Sequence, residues 1–425
     1  MKIEIKKGNE VLLAEIAAEN LIAVLNPQSL PENTNGEEIV QMAMKNPIAS
    51  SLLKDAVHKG EKIAIIASDN TRPVPTYQIL PSILKELYEA GIDKEDITLY
   101  FARGSHRAMT DAEREALAGS KAFHEIACVD SDTEHTSYVG TTKRGTEVEI
   151  DSRVVKADRR ICIGNVEYHY FAGYSGGAKA IMPGMSTPRS IAMNHRLMID
   201  MHACAGVIQG NPVREDLEEA CAMVGVDFIV NVVLNTHKEI IYAAAGDVTE
   251  AHRDACRYLD SVYRSPIPAR ADIVIVSQGG APKDRNLYQT QKALDNAKHA
   301  VKDGGTIIVV GSCSEGFGQD KFAEWMLKYR NPDDMLQALH EHFVLGGHKA
   351  AAIGLVRKKA QLFLVSDMDP ETVKKTFFIP FKTLQEAYNC AAEKYGKNAS
   401  VIVMPYGGST LPCVKEDIHH EEKEG

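Results

Sequence analysis

Apolar and polar positions along the chain fall into two alternating rhythms. Short, nearly continuous apolar runs recur at "KIAIIAS" (62–68), "ITLYFA" (97–102), "RRICIGN" (159–165), "DFIVNVVLN" (227–235), "IIYAAAGD" (240–247), "DIVIVS" (272–277), "GTIIVVGS" (305–312), "AQLFLVS" (360–366) and "ASVIVMP" (399–405). Runs apolar on both alternating sets predict strands buried on both faces, as in a parallel sheet. Between them, apolar residues return at helical spacing. "TYQILPSILKELYEAG" (76–91) predicts a helix that Gly91 caps. "DAEREALAG" (111–119), "TEAHRDACRYLDSVY" (249–263) and "LYQTQKALDNAKHAV" (287–301) predict three more. The opening "KIEIKKG" alternates strictly and predicts an edge strand.

Strand, loop and helix in repeated order predict an α/β fold: two lobes with mostly parallel sheets flanked by helices. The stretch "RSPIPARAD" (264–272) holds two prolines in three residues and marks the best boundary. This divides the chain into an N-terminal α/β domain, 1–265, and a C-terminal α/β domain, 271–425. Ligands in such sheets sit at the carboxyl ends of strands, so the expected active site is the interdomain cleft.

Composition narrows the function. The 425 residues carry a formal net charge of −10, which argues against a general nucleic-acid binder. The eight cysteines include no CxxC pair and read as thiols, not a disulfide frame or zinc site. "MKIEIKKGNEVLLAEI" lacks the apolar core of a signal peptide. No apolar run approaches the ~20 residues of a membrane helix. The expectation is a cytoplasmic protein with no nucleic-acid or membrane partner and a frayed, charged "HHEEKEG" end.

Five loops carry candidate chemistry. "SDNTRPVP" (68–75) places Asp69 and Arg72 after a strand, with prolines stiffening the exit. A guanidinium there is placed to fork onto a carboxylate or phosphate. "ARGSHRAM" (102–109) places His106 after the next strand, suited to proton transfer or simply to bonding the backbone. "HYFAGYSGGAK" (169–179) suggests a phosphate loop but is not one. Counting from Gly173, Ala178 fills the second glycine slot and Ala180 stands where Ser or Thr would bind magnesium. Its small residues Ser175, Gly176 and Gly177 let a ligand approach the backbone. Lys179, with few charge partners close in sequence, becomes a nucleophile if desolvated, or else points to solvent. "MNHRLMIDMHAC" (193–204) sets His195 and His202 two helical turns apart, each a metal ligand only if other donors come from elsewhere. "GGAPKDRNLYQTQK" (279–292) places Tyr288 and Lys292 on one helix face beside Gln289, a phenol, ammonium and amide able to hold an oxyanion.

Taken together, in this order and spacing, "SDNTRPVP", "GSHRA", "HYFAGYSGGAKAIMPG", "NHRLMID" and "NLYQTQKALDNA" resemble the nickel-dependent lactate racemase family of α-hydroxyacid racemases and epimerases. The resemblance runs from about residue 60 to "MPYGGSTLP" (404–412). It implies a nickel-pincer nucleotide (pyridinium-3-thioamide-5-thiocarboxylic acid mononucleotide with Ni), made by dedicated cofactor-biosynthesis proteins. Lys179 matches the covalent tether and His195 the nickel ligand. Soft sulfur with imidazole suits nickel. Ser175, Gly176, Gly177 and Asp69 lie in the matching cofactor loops. His106 and His169 match the catalytic acid/base pair, and Arg72, Tyr288, Gln289 and Lys292 the substrate anchors.

The implied reaction inverts the α-carbon of a 2-hydroxy acid through reversible hydride transfer and a keto-acid intermediate. Each histidine is expected to serve one enantiomer. The substrate is lactate-like, with malate or a sugar acid as the other candidates. "GGHKAAAIG" (346–354) offers His348 and only small apolar residues near the site, Trp325 lies outside the five loops, and Arg285 reads as surface charge. Two rival readings are a metal-free Schiff-base enzyme built on Lys179 and a two-lobed carboxylate-binding protein without catalysis.

Overall fold

The computed structural model describes residues 1–414. The chain forms two compact units. One is Ser29–Val262; the other joins Met1–Gln28 to the residues from Tyr263 onward. The charged end "HHEEKEG" lies outside the described residues.

The first residues form β1 (Lys2–Lys7), β2 (Glu10–Glu15) and β3 (Leu21–Val24). β1 and β2 pair as an antiparallel hairpin, Lys2 opposite Glu15. The alternation of "KIEIKKG" is thus that of an edge strand, as expected, in a two-stranded hairpin with one buried face. Ile3 and Ile5 pack with Ile273, Ile308 and Leu384 in the core of the second unit.

The Ser29–Val262 unit is built on β4 (Ile63–Ser68), β5 (Ile97–Ala102), β6 (Ala127–Asp130), β7 (Thr136–Thr141), β8 (Glu147–Asp151), β9 (Arg159–Asn165), β10 (Tyr168–His169), β11 (Gly173–Tyr174), β12 (Phe228–Leu234) and β13 (Ile240–Gly246). Its six-stranded sheet runs β13-β12-β9-β4-β5-β6. Only the β12–β13 pair is antiparallel. Ile63–Ala67 are buried along β4, the double-sided burial that its apolar run predicts. From β4 the chain steps to β5 and β6 on one side, then returns to β9 on the other. The carboxyl ends of β4 and β9 therefore flank a topological switch point, where open α/β sheets bind ligands.

The second unit adds β14 (Arg264–Ile267), β15 (Ala271–Ser277), β16 (Val301–Val310), β17 (Gln361–Val365), β18 (Phe378–Phe381), β19 (Val401–Met404) and β20 (Leu411–Val414). Its sheet runs β18-β17-β16-β15-β19-β3, parallel throughout. β3 supplies the last strand, Ala23 facing Ile402. This corrects the expected N-terminal domain of 1–265: its first 28 residues belong with the C-terminal unit. The cause is pairing between the two ends of the chain, which no local pattern reports.

The proline-rich boundary is not a bare linker either. Arg264–Ile267 pair in parallel with Leu411–Val414. Pro266 is exposed there, an edge position where a missing N–H is tolerated. The helix expected over 287–301 ends at Ala297, and Val301 already opens β16. Both units keep the expected α/β form with mostly parallel sheets. Among the described residues, no helix is long and apolar enough to cross a membrane.

Candidate active site

Three of the loops singled out above leave the carboxyl ends of neighbouring strands β9, β4 and β5. After β4, Asp69 is 2 % exposed although it begins a surface loop. Its Oδ1 accepts from the Thr71 hydroxyl at 2.6 Å, and its Oδ2 lies 2.7 Å from Nδ1 of His106. Burial pushes the Asp69 carboxyl up, but the hydrogen bonds from His106 and Thr71 outweigh it and hold it below the usual carboxylate range. An ionised Asp69 can only accept, so Nδ1 of His106 carries a proton, and in the neutral ring the lone pair lies on Nε2. Arg103 fixes the loop, donating to the His106 carbonyl at 2.9 Å and to the Ser131 carbonyl at 3.0 Å. Arg72 is exposed, and among the described residues its guanidinium makes no hydrogen bond or ion pair.

After β9, the chain does not pass directly into a helix. β10 and β11 form a miniature hairpin, with His169 opposite Gly173. One turn of 3-10 helix, Gly177–Ala180, then carries Lys179. Nδ1 of His169 accepts from the Ala172 N–H at 3.2 Å, so the neutral ring holds its proton on Nε2. Burial, with Lys179, Arg72 and His195 adding positive charge, pushes His169 well below its ordinary value. The two histidines thus begin in opposite tautomers.

The Phe171 ring is a hub. Its centroid lies 4.5 Å from that of His169, 4.9 Å from that of His195 and 6.0 Å from Nζ of Lys179. Among the described residues, the Lys179 ammonium has no hydrogen-bond or ion-pair partner. Burial drives it far below the usual lysine value, helped by the Arg214 and Arg72 charges and opposed by Glu167. Arg214 is itself 0 % exposed. It donates through Nε to the Ala172 carbonyl at 3.0 Å and through Nη2 to the Tyr174 carbonyl. One buried guanidinium thus clamps the loop between His169 and Lys179 and disfavours a proton on the lysine.

The small residues of this loop serve packing inside the unit. Gly176, at φ +75°, would place a Cβ 2.6 Å from the Asn231 side chain; Gly177, at φ +57°, would place one 2.8 Å from His252. The Ser175 hydroxyl donates to the Asn165 carbonyl at 2.8 Å and accepts from Glu167 N–H at 2.9 Å.

His195 ends the helix Pro188–His195, which starts with Thr187 capping Ser190 N–H at 3.2 Å. His202 does not share a helix face with it. The helix gives way to a 3-10 turn at Arg196, and His202 sits on the surface, 3.0 Å from Asp200. Among the described residues, no three His, Cys, Asp or Glu side chains gather as a metal set.

In the second unit, the helix Leu287–Ala297 begins at the Asn286 cap, which accepts from Gln289 N–H at 3.0 Å. Gln289 and Lys292 are exposed and Tyr288 is half-buried. The sequence reading passed over Lys349. It is 7 % exposed, and its Nζ donates to the Tyr288 carbonyl at 2.9 Å and lies 4.1 Å from the Tyr288 ring centroid. Burial lowers Lys349 to about 7, helped by Lys292 and opposed by Asp295. Neighbouring His348 is pushed down to about 4, chiefly by burial, and its Nδ1 accepts from Gly346 N–H. Trp325 packs beneath Gly347, leaving no room for a Cβ there. Arg285 is exposed, 4.0 Å from Glu315.

Comparison with known proteins gives this geometry a family. Residues 7–206 match the lactate racemase N-terminal domain and residues 267–411 the lactate racemase C-terminal domain. A lactate racemase of Thermoanaerobacterium thermosaccharolyticum is 31 % identical over 422 residues, covering 96 % of this chain and 98 % of that protein. A lactate racemase of Lactiplantibacillus plantarum is 30 % identical over 418 residues, covering 95 % and 98 %. The solved lactate racemase apoprotein from T. thermosaccharolyticum superposes with a TM-score of 0.85 at 32 % identity, covering 97 % of this chain and 100 % of that one. A Thermotoga maritima protein shares the fold at a TM-score of 0.60 and 19 % identity, covering 89 % and 98 %. The chain belongs to the lactate racemase family, and so to the isomerases.

Proposed function

We propose that this chain racemises lactate or another short 2-hydroxy acid, malate and sugar acids included, with a nickel-pincer nucleotide tethered to Lys179. The observation that carries this reading is the isolated Lys179 amine. It is poor in proton affinity and has no hydrogen-bond or ion-pair partner among the described residues, the state a tethering nucleophile needs. The donor set fits the group: an amine for the thioamide bond, and the His195 imidazole as a nitrogen ligand suited to nickel beside sulfur. Ser175, Gly176, Gly177 and Asp69 belong to the loops assigned to the cofactor. Asp69 also acts through His106, and the glycines also admit Asn231 and His252. When bound, the group supplies a hydride acceptor for the substrate α-hydrogen.

The chain's own residues supply the rest. Arg72 offers a forked donor pair to the substrate carboxylate. Tyr288, Gln289 and Lys292 match the family's remaining substrate anchors. His106, with Nδ1 held by Asp69, takes the hydroxyl proton on Nε2 as general base, and the Asp69 charge stabilises the imidazolium. His169 begins as a neutral Nε2–H donor; to serve the opposite enantiomer as a base on Nε2 its ring proton must pass to Nδ1, which gives up the hydrogen bond from the Ala172 N–H. Phe171 keeps His169, His195 and Lys179 at fixed spacing.

The test is to produce the chain with the cofactor-making proteins, measure the mass of the Lys179 peptide and nickel per chain, and assay a panel of chiral hydroxy acids. Added mass on Lys179, nickel and racemisation support the proposal. An unmodified Lys179 in a chain that still racemises sinks it. The depressed Lys179 also favours a Schiff-base enzyme, which borohydride would trap only with a carbonyl substrate present.

A further inference from the structure

Behind His195 lies a buried polar chain that the reaction described above does not use. Asn194 is 0 % exposed. Its Nδ2 donates to the Val213 carbonyl at 3.1 Å and to Oδ2 of Asp216 at 2.8 Å. Both partners only accept, and turning the amide over would set its oxygen against two oxygens. Oδ1 therefore faces His195, 3.0 Å from Nδ1. An amide oxygen can only accept, so this nitrogen carries a proton, and the neutral ring has its lone pair on Nε2.

Asp216 is fixed in turn. It is 0 % exposed, on the helix Pro212–Val224. Thr142 Oγ1 donates to its Oδ1 and Thr146 Oγ1 to its Oδ2, the latter at 2.7 Å. Both threonines are buried, in the turn between β7 and β8. Among the described residues, no cation pairs with Asp216. A buried carboxylate held by neutral donors alone is costly, and here its remaining effect is to orient one amide.

We propose that Asp216 and Asn194 are positioning residues for His195: they lock the tautomer that leaves Nε2 unprotonated, as nickel ligation requires. Ligating histidines commonly hand their other N–H to such a partner. The inference rests on the reading of His195 as the nickel ligand.

Two measurements separate the inference from that reading. In the first, the full chain is made without the cofactor proteins and labelled with 15N-histidine. Long-range 15N–1H spectra, assigned with His195→Gln, give the tautomer. Native protein should show His195 protonated at Nδ1, and Asn194→Leu should shift it toward Nε2–H. Native His195 already in the Nε2–H form overturns the relay.

In the second, the chain is made with the cofactor proteins, and Lys179 mass and nickel retention against a chelator are followed together. Asn194→Leu should keep the added mass on Lys179 while nickel affinity falls about 10–100-fold. Asp216→Asn, which conserves volume, should move both readouts the same way and serves where the leucine variant fails to fold. Nickel retained by Asn194→Leu but lost by His195→Ala overturns the relay alone. Nickel retained by His195→Ala overturns the ligand reading, and the relay's purpose with it.

Discussion

Oδ2 of Asp69 and Nδ1 of His106 stand 2.7 Å apart, the carboxylate buried and the ring half-open to solvent. This pair gives His106 a direction as well as a place. Asp69→Asn should keep the fold but lose about 10²-fold or more in kcat/KM, the usual worth of a positioned base. An enzyme assay on fully loaded protein checks this. Activity within a factor of two of the native would remove Asp69 from the mechanism. The pair also links stability to pH. Because Asp69 is held below its ordinary value, its stabilising contribution is complete above an unfolded pKa of about 3.9 and is lost as pH falls through the lowered folded value. Native and Asp69→Asn melting midpoints should therefore differ most near neutrality and converge in acid.

Lys179 carries the opposite sign. Its pKa is pushed far down in the folded chain, so below that value the unfolded and folded states are both protonated and the desolvation cost is at its maximum. The cost shrinks as pH rises toward the unfolded value of about 10.4 and vanishes above it. Cofactor-free Lys179→Met should therefore melt above the native chain at pH 7, the gap closing toward pH 10. Equal midpoints at pH 7 would mean that the ammonium is well solvated.

Gly177→Ala tests the packing role of the lysine loop. A methyl group there meets His252 at 2.8 Å in a left-handed backbone. Overpacking of this kind costs about 1–3 kcal/mol, to which the positive φ adds about 1 kcal/mol. Urea unfolding of the cofactor-free protein should register the loss, and its absence would show that the loop relaxes freely.

The Nζ of Lys349 holds Tyr288 at two points, by a hydrogen bond to its carbonyl and by its charge over the ring. Lys349→Met removes both. A cation–π contact of this kind is worth about 0.5–2 kcal/mol, so KM should rise several-fold while kcat changes less. Because Lys349 titrates at about 7, the ammonium over the ring is complete below that pH and lost above it. The native KM should accordingly climb from pH 6 to 8, and the variant's should stay flat.

The strands were legible because parallel-sheet strands are apolar on both faces, as Ile63–Ala67 are. The order of the site loops was legible too, since Asp69, His106 and Lys179 all follow such runs. Their supporting partners were not. Arg214 lies in "PVREDLEEA", whose charges suggest a solvated helix, yet it is fully buried. Only the fold reveals that two loop carbonyls wait for it. Asn194 and Asp216 are 22 positions apart and meet through a third segment that carries Thr142 and Thr146. Lys349 sits among small apolar residues, where a single cation gives no periodic signal.

The pairing of β3 with β19 also sets an order of events in the cell. The strand Leu21–Val24 leaves the ribosome well before its partner Val401–Met404, with most of the sequence between them. At about 5–20 residues per second, the interval is tens of seconds. Throughout it the Ser29–Val262 unit can fold around its own core, while Ile3 and Ile5 lack the sheet that buries them and the strand Leu21–Val24 lacks its pairing partner. These two distant segments can pair only after everything between them has been made. A nascent chain stalled before Val401 should therefore hold a folded middle with a tethered, protease-sensitive beginning.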